Sequence, residues 1–386
     1  MKKNDLFTLF IIFYLLSGGY VPSASGSALS IQTGNGTKFK VEPVFQGLDI
    51  PWAMAFLNPS EMIVTQRTGK IGILVPETGR FTVIKDAVPG IKHGGQGGLL
   101  DVAVPLDYTA GDWIYFTYSK AVNGEGATAL ARARRNKNRL DNWEDLLVTR
   151  SAAGGSRHFG SRITFDTQGH LYFTVGDRGE RPTAQDLSNH AGSILRLRID
   201  GSIPDDNPFL TIKDALPEIY SYGHRNPQGI VFDPLNNRLW TIEHGPRGGD
   251  EINLVLPGRN YGWPKISYGK EYWGPLHVGD GTHKEGMEQP VKYYVPSIAP
   301  GSLILYSGKA FPEWKGNLMA GALKMEHINR LAVSHSGTIV SEERLLEELQ
   351  ARIRALVEGP EGWIYFSTDN GKIYRIRPAT VKKREP

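Results

Sequence analysis

Two short stretches carry side chains able to move a proton. In "GGSRHFGSRITF", His158 stands among glycines just before an apolar run, and in "TVGDRG" Asp177 closes the next one. If the two runs are adjacent antiparallel strands, the chain returns to the same rim and Asp177 can reach His158. A carboxylate on one imidazole nitrogen fixes the tautomer and raises the basicity of the other, as a general base requires. From these residues alone, a surface histidine beside a turn aspartate reads equally well.

Positive charges form a second set. Arg225 lies beside Asn226 in "GHRNPQG", Lys324 in "GALKMEH", and Arg352 and Arg354 in "ARIRALV". Residues two apart on a strand share a face, so Arg352 and Arg354 project together. Converging, these cations would receive an anion with several carboxylates or phosphates. Each taken singly is an ordinary surface charge. A third set is "EHGPRGGDEINLVLPGRNYGWP", where Asp250, Glu251 and glycine-turn carbonyls offer hard oxygen ligands suited to Ca²⁺. It lacks EF-hand spacing, and a solvated acidic turn fits as well. "HGGQGG" presents Gln96 on a tight turn but has neither a following helix nor GK[ST]. Dinucleotide and P-loop fingerprints, HExxH, cysteine ligands and the GxSxG elbow are all missing from the sequence.

The elements that must position these residues are strands. The chain has 45 glycines and 24 prolines in 386 residues, and short apolar runs alternate with Gly, Pro, Asn and Asp turns. That pattern is all-β. One helical run stands out, "SEERLLEELQ", and the "ARIRALV" that follows reads as strand. A strand–turn–strand unit recurs from Met54, Leu100, Ile163, Ile230, Leu303 and Ala355. Six such units predict a six-bladed β-propeller, with the active site where loops converge on the mouth of the central channel. Two β-sandwiches are the competing architecture, but no linker divides the chain.

Net charge is only +4, which gives no support to a nucleic-acid binder. Lys2 and Lys3 precede the apolar run 6–16 and a small-residue stretch. That order reads as a secretory signal peptide over 1–25, cleaved near Ser25 or Ala28, and the run is short of the ~20 residues that cross a bilayer. The expectation is a periplasmic or exported protein, with 26–386 a single domain that needs no membrane association. Without cysteine, that domain rests on its core alone.

In order along the chain, "GGQGGLLDVA", "RHFGSRITFDTQGHLYFTVGDRG", "ILRLRIDGSIPDDNPF", "GHRNPQGIVFDP", "EHGPRGGDEIN", "GRNYGWP", "GALK" and "RIRALVEGPEGWIYFSTD" resemble the soluble pyrroloquinoline-quinone (PQQ) dependent sugar dehydrogenases, particularly their aldose sugar dehydrogenase branch. The resemblance spans about 50–378 and implies the same six-bladed fold. It implies His158 as general base, Asp177 as its orienting partner, and Gln96, Arg225 and Asn226 lining the site. Lys324, Arg352 and Arg354 would hold the quinone's carboxylates. The carbonyls of Gly245 and Pro246 would bind the Ca²⁺ on PQQ, and Glu251 with the Tyr261 carbonyl a structural Ca²⁺. Aldoses would be oxidised at C1 to lactones and electrons passed to an unidentified acceptor, by a monomer or dimer. Arg157 departs from soluble glucose dehydrogenase, which has an acid before the base, and 178–191 is a shorter loop than that enzyme's. The alternatives are a Ca²⁺-dependent propeller lactonase or esterase, and a propeller that only binds.

Overall fold

A computed structural model describes residues 28–85 and 88–379. The leader expected over 1–25 lies outside them. Six antiparallel sheets occupy 51–83, 99–148, 163–222, 227–294, 300–345 and 353–378, the last joined by strands from the N-terminal side. Their first strands are Pro51–Asn58, Leu99–Ala103, Ile163–Phe165, Pro227–Asp233, Pro300–Leu305 and Ile353–Glu358. These six pack one against the next in a closed ring, the last against the first. The chain is a six-bladed β-propeller, and all six sequence starting points fall in this inner ring.

Small side chains let the inner strands crowd the axis. A Cβ at Gly229 would come 2.6 Å from the Leu303 backbone nitrogen of the next blade. Outside the ring, the blades bury Leu, Ile, Val and Phe in alternate positions between successive sheets. Closure was not foreseen. Strand Lys38–Gln46 pairs antiparallel with Lys372–Pro378, and Leu29–Gln32 pairs with Lys38–Gln46 in turn, so the chain's two ends complete one sheet. Phe39 anchors this seam edge-on to Phe311 and Trp314.

The helix expected at "SEERLLEELQ" is not formed; Ile339–Leu345 is the outer strand of blade 5, followed by one 3₁₀ turn at Glu347–Leu349. Two features override the helical periodicity. Glu343 lies opposite Arg330 on the neighbouring strand and pairs with it at 2.6 Å. Leu346 and Gln350, at φ +69° and +46°, are left-handed and stop any helix.

A single buried arginine occupies the axis. Arg162, at the start of blade 3, pairs with Asp101 of blade 2 at 3.0 Å. Its guanidinium also donates to the carbonyls of Gln228, Gly301, Arg354 and Trp52, in blades 4, 5, 6 and 1. One side chain therefore ties all six inner strands. Toward the strands' C-terminal ends lies an apolar cavity of about 590 Å³ lined by Met54, Leu57, Leu106, Leu303 and Leu356. Toward their N-terminal ends lies a smaller, charged recess.

Candidate active site

The turn entering blade 3 is strongly constrained. His158 has φ +56°, and Gly160 and Ser161 are also left-handed. Such backbone persists only where surroundings fix it. The Thr128 hydroxyl donates to the Phe159 carbonyl (2.8 Å), the Gly160 N–H donates to Asn226 Oδ1 (3.1 Å), and the His158 N–H donates to Gln96 Oε1 (2.7 Å). Gly176 packs so close that a Cβ there would lie 2.2 Å from the His158 carbonyl. Behind the turn, the buried Arg178 guanidinium donates to the carbonyls of Arg157, Gly155 (2.8 Å) and Gly126 (3.2 Å) and lies 3.4 Å over the Phe159 ring. Burial pushes the Arg178 pKa down to about 10.

So held, His158 places Nδ1 2.6 Å from Asp177 Oδ1. A carboxylate only accepts, so Nδ1 carries the proton and Nε2 keeps its lone pair. Asp177 is fully buried and oriented by two further donors, the Gly179 N–H and the Trp263 indole N–H, each at 2.7 Å. Burial alone would raise its pKa, but the His158 hydrogen bond and the nearby Arg225 charge leave it below the ordinary carboxylate value. Burial lowers the His158 pKa, against the opposing Asp177 hydrogen bond, and the charges of Arg225 and Arg157 lower it further. A neutral imidazole beside an ionised carboxylate is a base in its working state.

Arg225 is bound to this pair through its backbone. Its carbonyl accepts the Asp177 N–H at 2.8 Å, and its own N–H donates to Glu243 Oε2 at 2.7 Å. The guanidinium donates to the His244 carbonyl (3.2 Å) and lies 5.2 Å from the Trp263 ring centre, while Nε is buried without a partner. Among the described residues it makes no ion pair with a carboxylate.

Next to the turn that carries His158, a recess of about 170 Å³ is lined by Phe159 and Gly160, by Gln96, Asn226, Arg352 and Arg354, and by Arg67 and Asp369. Both arginines of blade 6 donate to Asp369: Arg352 through Nε at 2.9 Å, Arg354 through a fork of Nε at 2.8 Å and Nη2 at 3.0 Å. Burial, then the Arg354 charge, lowers the Arg67 pKa, as expected of a cation facing another cation. Lys324 is exposed, next to Leu323, whose carbonyl accepts from Arg352 at 2.9 Å.

The oxygen-rich turn is differently arranged from the sequence expectation. Asp250 is consumed internally: Oδ1 accepts the Gly245 N–H (2.9 Å), and Oδ2 accepts the Ser297 hydroxyl (2.7 Å) and the Ala299 N–H (2.9 Å). Three of its acceptor positions hold the loop together. Gly245, Glu251 and Tyr261 instead line one small recess with Glu243. Pro246 lies beside it, its carbonyl accepting the Tyr272 hydroxyl at 3.0 Å. Burial and the neighbouring Glu243 raise the Glu251 pKa well above its ordinary value, and its nearest side-chain donor is Asn253 at 3.4 Å. Among the described residues no three His, Cys, Asp or Glu side chains gather as a metal site. A cation here would draw on Glu251, with Glu243 beside it, and on backbone oxygens.

Sequence reasoning missed Arg67, Trp263, Arg178 and Asp369. The signal for two of them was present. Asp177 follows the second strand of blade 3, and Arg67 and Asp369 follow the second strands of blades 1 and 6. Asp177 stands two residues past its strand end and Arg67 and Asp369 one, so the repeat points to the right loops but not to the residue. Trp263, 86 residues beyond Asp177, carries no such mark.

A propeller with a buried His–Asp pair and a cationic recess at one end of its channel defines a class of loop-built catalytic propellers. The particular family follows from comparison. Residues 48–375 match the family model described as Glucose / Sorbosone dehydrogenase, and the chain belongs to that family. It is 37% identical over 353 residues to the aldose sugar dehydrogenase YliI of Escherichia coli, covering 88% of this chain and 92% of that one. The crystal structure of the soluble aldose sugar dehydrogenase from Escherichia coli in the apo form superposes with a TM-score of 0.84 at 36% identity, over 88% of this chain and 99% of that one. The PQQ-bound aldose sugar dehydrogenase of Streptomyces coelicolor matches with a TM-score of 0.72 at 25% identity, over 92% and 99%. Membership places the chain among sugar-oxidising dehydrogenases.

Proposed function

We propose that this protein oxidises aldose sugars at C1 to their lactones, using PQQ and Ca²⁺, in an exported compartment, and hands the electrons to a separate acceptor. The observation that carries the reading is the unclaimed Nε2 of a neutral, carboxylate-oriented His158 whose turn, through Phe159 and Gly160, borders a cationic recess. Likeness to aldose sugar dehydrogenases, one of them solved with PQQ bound, supports it.

The residues suit both groups. PQQ has three carboxylates, and Arg67, Arg352 and Arg354 outnumber Asp369 in the recess. The buried Nε of Arg225 lacks a partner that an anionic ligand would supply. Glu251, crowded by Glu243, gains from a hard cation what it lacks in protein donors. Lys324, Gln96 and Asn226 complete the cradle, with the carbonyls of Gly245, Pro246 and Tyr261 as oxygen ligands. When bound, PQQ supplies a carbonyl that accepts hydride, and Ca²⁺ makes it more electrophilic.

The chain's own part is positional and electrostatic. His158 Nε2 takes the proton of the C1 hydroxyl, and Asp177 stabilises the imidazolium that results. Arg225 places fixed positive charge where negative charge develops. Arg178 and Gln96 hold the base's turn rigid against both.

Purified protein given PQQ and CaCl₂ should reduce an electron-accepting dye with glucose, galactose or maltose. Loss of aldose dependence would sink the reading. Arg354→Gln should raise the PQQ concentration for half-activation about tenfold or more, as expected for removing a charge-assisted fork.

A further inference from the structure

The channel has a second mouth, at the C-terminal ends of the inner strands. Its apolar cavity of about 590 Å³ meets another of about 720 Å³, and the two share Val104, Leu106, Ile163 and Val231 as wall. The second cavity runs along blades 4 and 5 over Phe232, Trp240 and Tyr306. Leu106 and Leu235, which also line it, are 76% and 80% exposed. Apolar concavities of this size, given direction by a few polar groups, are what hold small ligands. Here the polar groups left over are cations. Arg238 of blade 4 and Lys315 of blade 5 line the second cavity, and among the described residues neither pairs with a carboxylate; Arg238 donates to the His335 carbonyl at 2.8 Å. The carboxylates nearby are engaged. Asp233 Oδ1 accepts the N–H groups of Leu235 (3.0 Å) and Asn236 (3.3 Å), and Oδ2 accepts the Asn236 amide (2.7 Å). In the first cavity Asp101 pairs with Arg162, and Glu358 accepts the N–H and the hydroxyl of Ser307.

We propose that this mouth binds a single-chain fatty carboxylate, with its head on Arg238 and Lys315 and its alkyl tail along the shared wall into the first cavity. An apolar wall by itself would take any oil. The two unpaired cations select a carboxylate, whose oxygens match the guanidinium fork. The tail needs nothing beyond the leucine, isoleucine and valine surface, and each methylene it buries adds to affinity. This site is separate from the mouth that holds His158. Arg162 stands between them: it lines the apolar cavity and donates to the carbonyls of Trp52 and Arg354, which line the recess beside the His158 turn. Binding there is independent of sugar oxidation.

Calorimetric titration of the purified protein with octanoate, decanoate and dodecanoate, each below its micelle concentration, should show affinity rising about tenfold per two carbons. Decyltrimethylammonium, with the same tail and the opposite charge, should bind about tenfold more weakly than decanoate or worse. Replacing both cations, by Arg238→Gln with Lys315→Gln, should erase that preference. Leu106→Asp changes an exposed side chain and sets a negative charge where the two cavities join. It should abolish decanoate binding and leave the melting temperature in place. Affinity that ignores tail length, a preference for decanoate that is missing or that survives the double variant, or binding that survives Leu106→Asp overturns the site. Retention on phosphatidylglycerol vesicles without binding of free decanoate would make this mouth a membrane-contact face, and overturns the site as well.

Discussion

Blades 3 and 4 each bury a histidine against a carboxylate, and the two pairs do different work. His158 lies 2.6 Å from Asp177 and His224 2.9 Å from Glu243. In blade 4 the second ring nitrogen is also taken: the Ser221 hydroxyl donates to His224 Nε2 at 2.9 Å, and the ring stacks on Tyr261 with centres 4.6 Å apart. Glu243 Oε1 also accepts the Asn253 amide, and Oε2 accepts the Arg225 N–H. In blade 3 the second nitrogen is unclaimed. A buried imidazole–carboxylate pair is thus not by itself a base. What distinguishes one is a ring nitrogen left without a partner, and His224 is a strut that holds the backbone of Arg225 through Glu243.

Three variants test that contrast. The largest effect is expected from His158→Asn, in which asparagine tolerates the left-handed backbone that alanine would strain. Turnover should fall by roughly 10²–10⁴-fold, the usual contribution of a general base, with PQQ binding retained. Unchanged turnover would remove His158 from the chemistry. Next is His224→Leu, which strands Glu243 in the interior. It should cost about 2–4 kcal/mol in urea unfolding, while turnover of the folded enzyme falls far less than in His158→Asn. The reverse ranking would mean that the roles of the two pairs had been exchanged.

The smallest effect is on pH dependence. Protonation disables His158, so activity should fall as pH drops through its ionisation. Burial, and then the charges of Arg225 and Arg157, place that ionisation below the ordinary imidazole value, so the acid limb of kcat/KM should lie below about 6.5. Arg157 is exposed, and Arg157→Gln removes a positive charge that opposes protonation. The limb should then move to higher pH, and less so in high salt, where the charge is already screened. A limb that stays in place would show that the Arg157 charge does not act on the imidazole.

Much of the site was readable because the propeller repeats its register. His158 and Asp177 flank the antiparallel strands that open blade 3, and Arg352 and Arg354 are two apart where blade 6 begins, so strand return brought the first pair together and period-two logic the second. Asp250 misled because a carboxylate among glycines looks available, whereas three donors claim it. The helical run at "SEERLLEELQ" misled because its periodicity is real but local, and the cross-strand Arg330–Glu343 pair outweighs it. Trp263 and Arg178 could not be found, since neither residue type nor spacing announces a hydrogen bond to Asp177 or a clamp on the base's turn.

By itself, the sequence determined the strands, the turns between them, their six-fold recurrence and the chemical character of the channel mouth. These depend on side-chain alternation and on glycine and proline, whose effects act over a few residues. Only the tertiary structure decided how the ring closes, which histidine keeps a free nitrogen, and that Arg162 reaches every blade. Ring closure pairs Phe39 with Pro378, Arg162 reaches Arg354 192 residues away, and His224 is engaged by Glu243 19 residues on. Local propensity carries no information about such a partner until the sheets have packed.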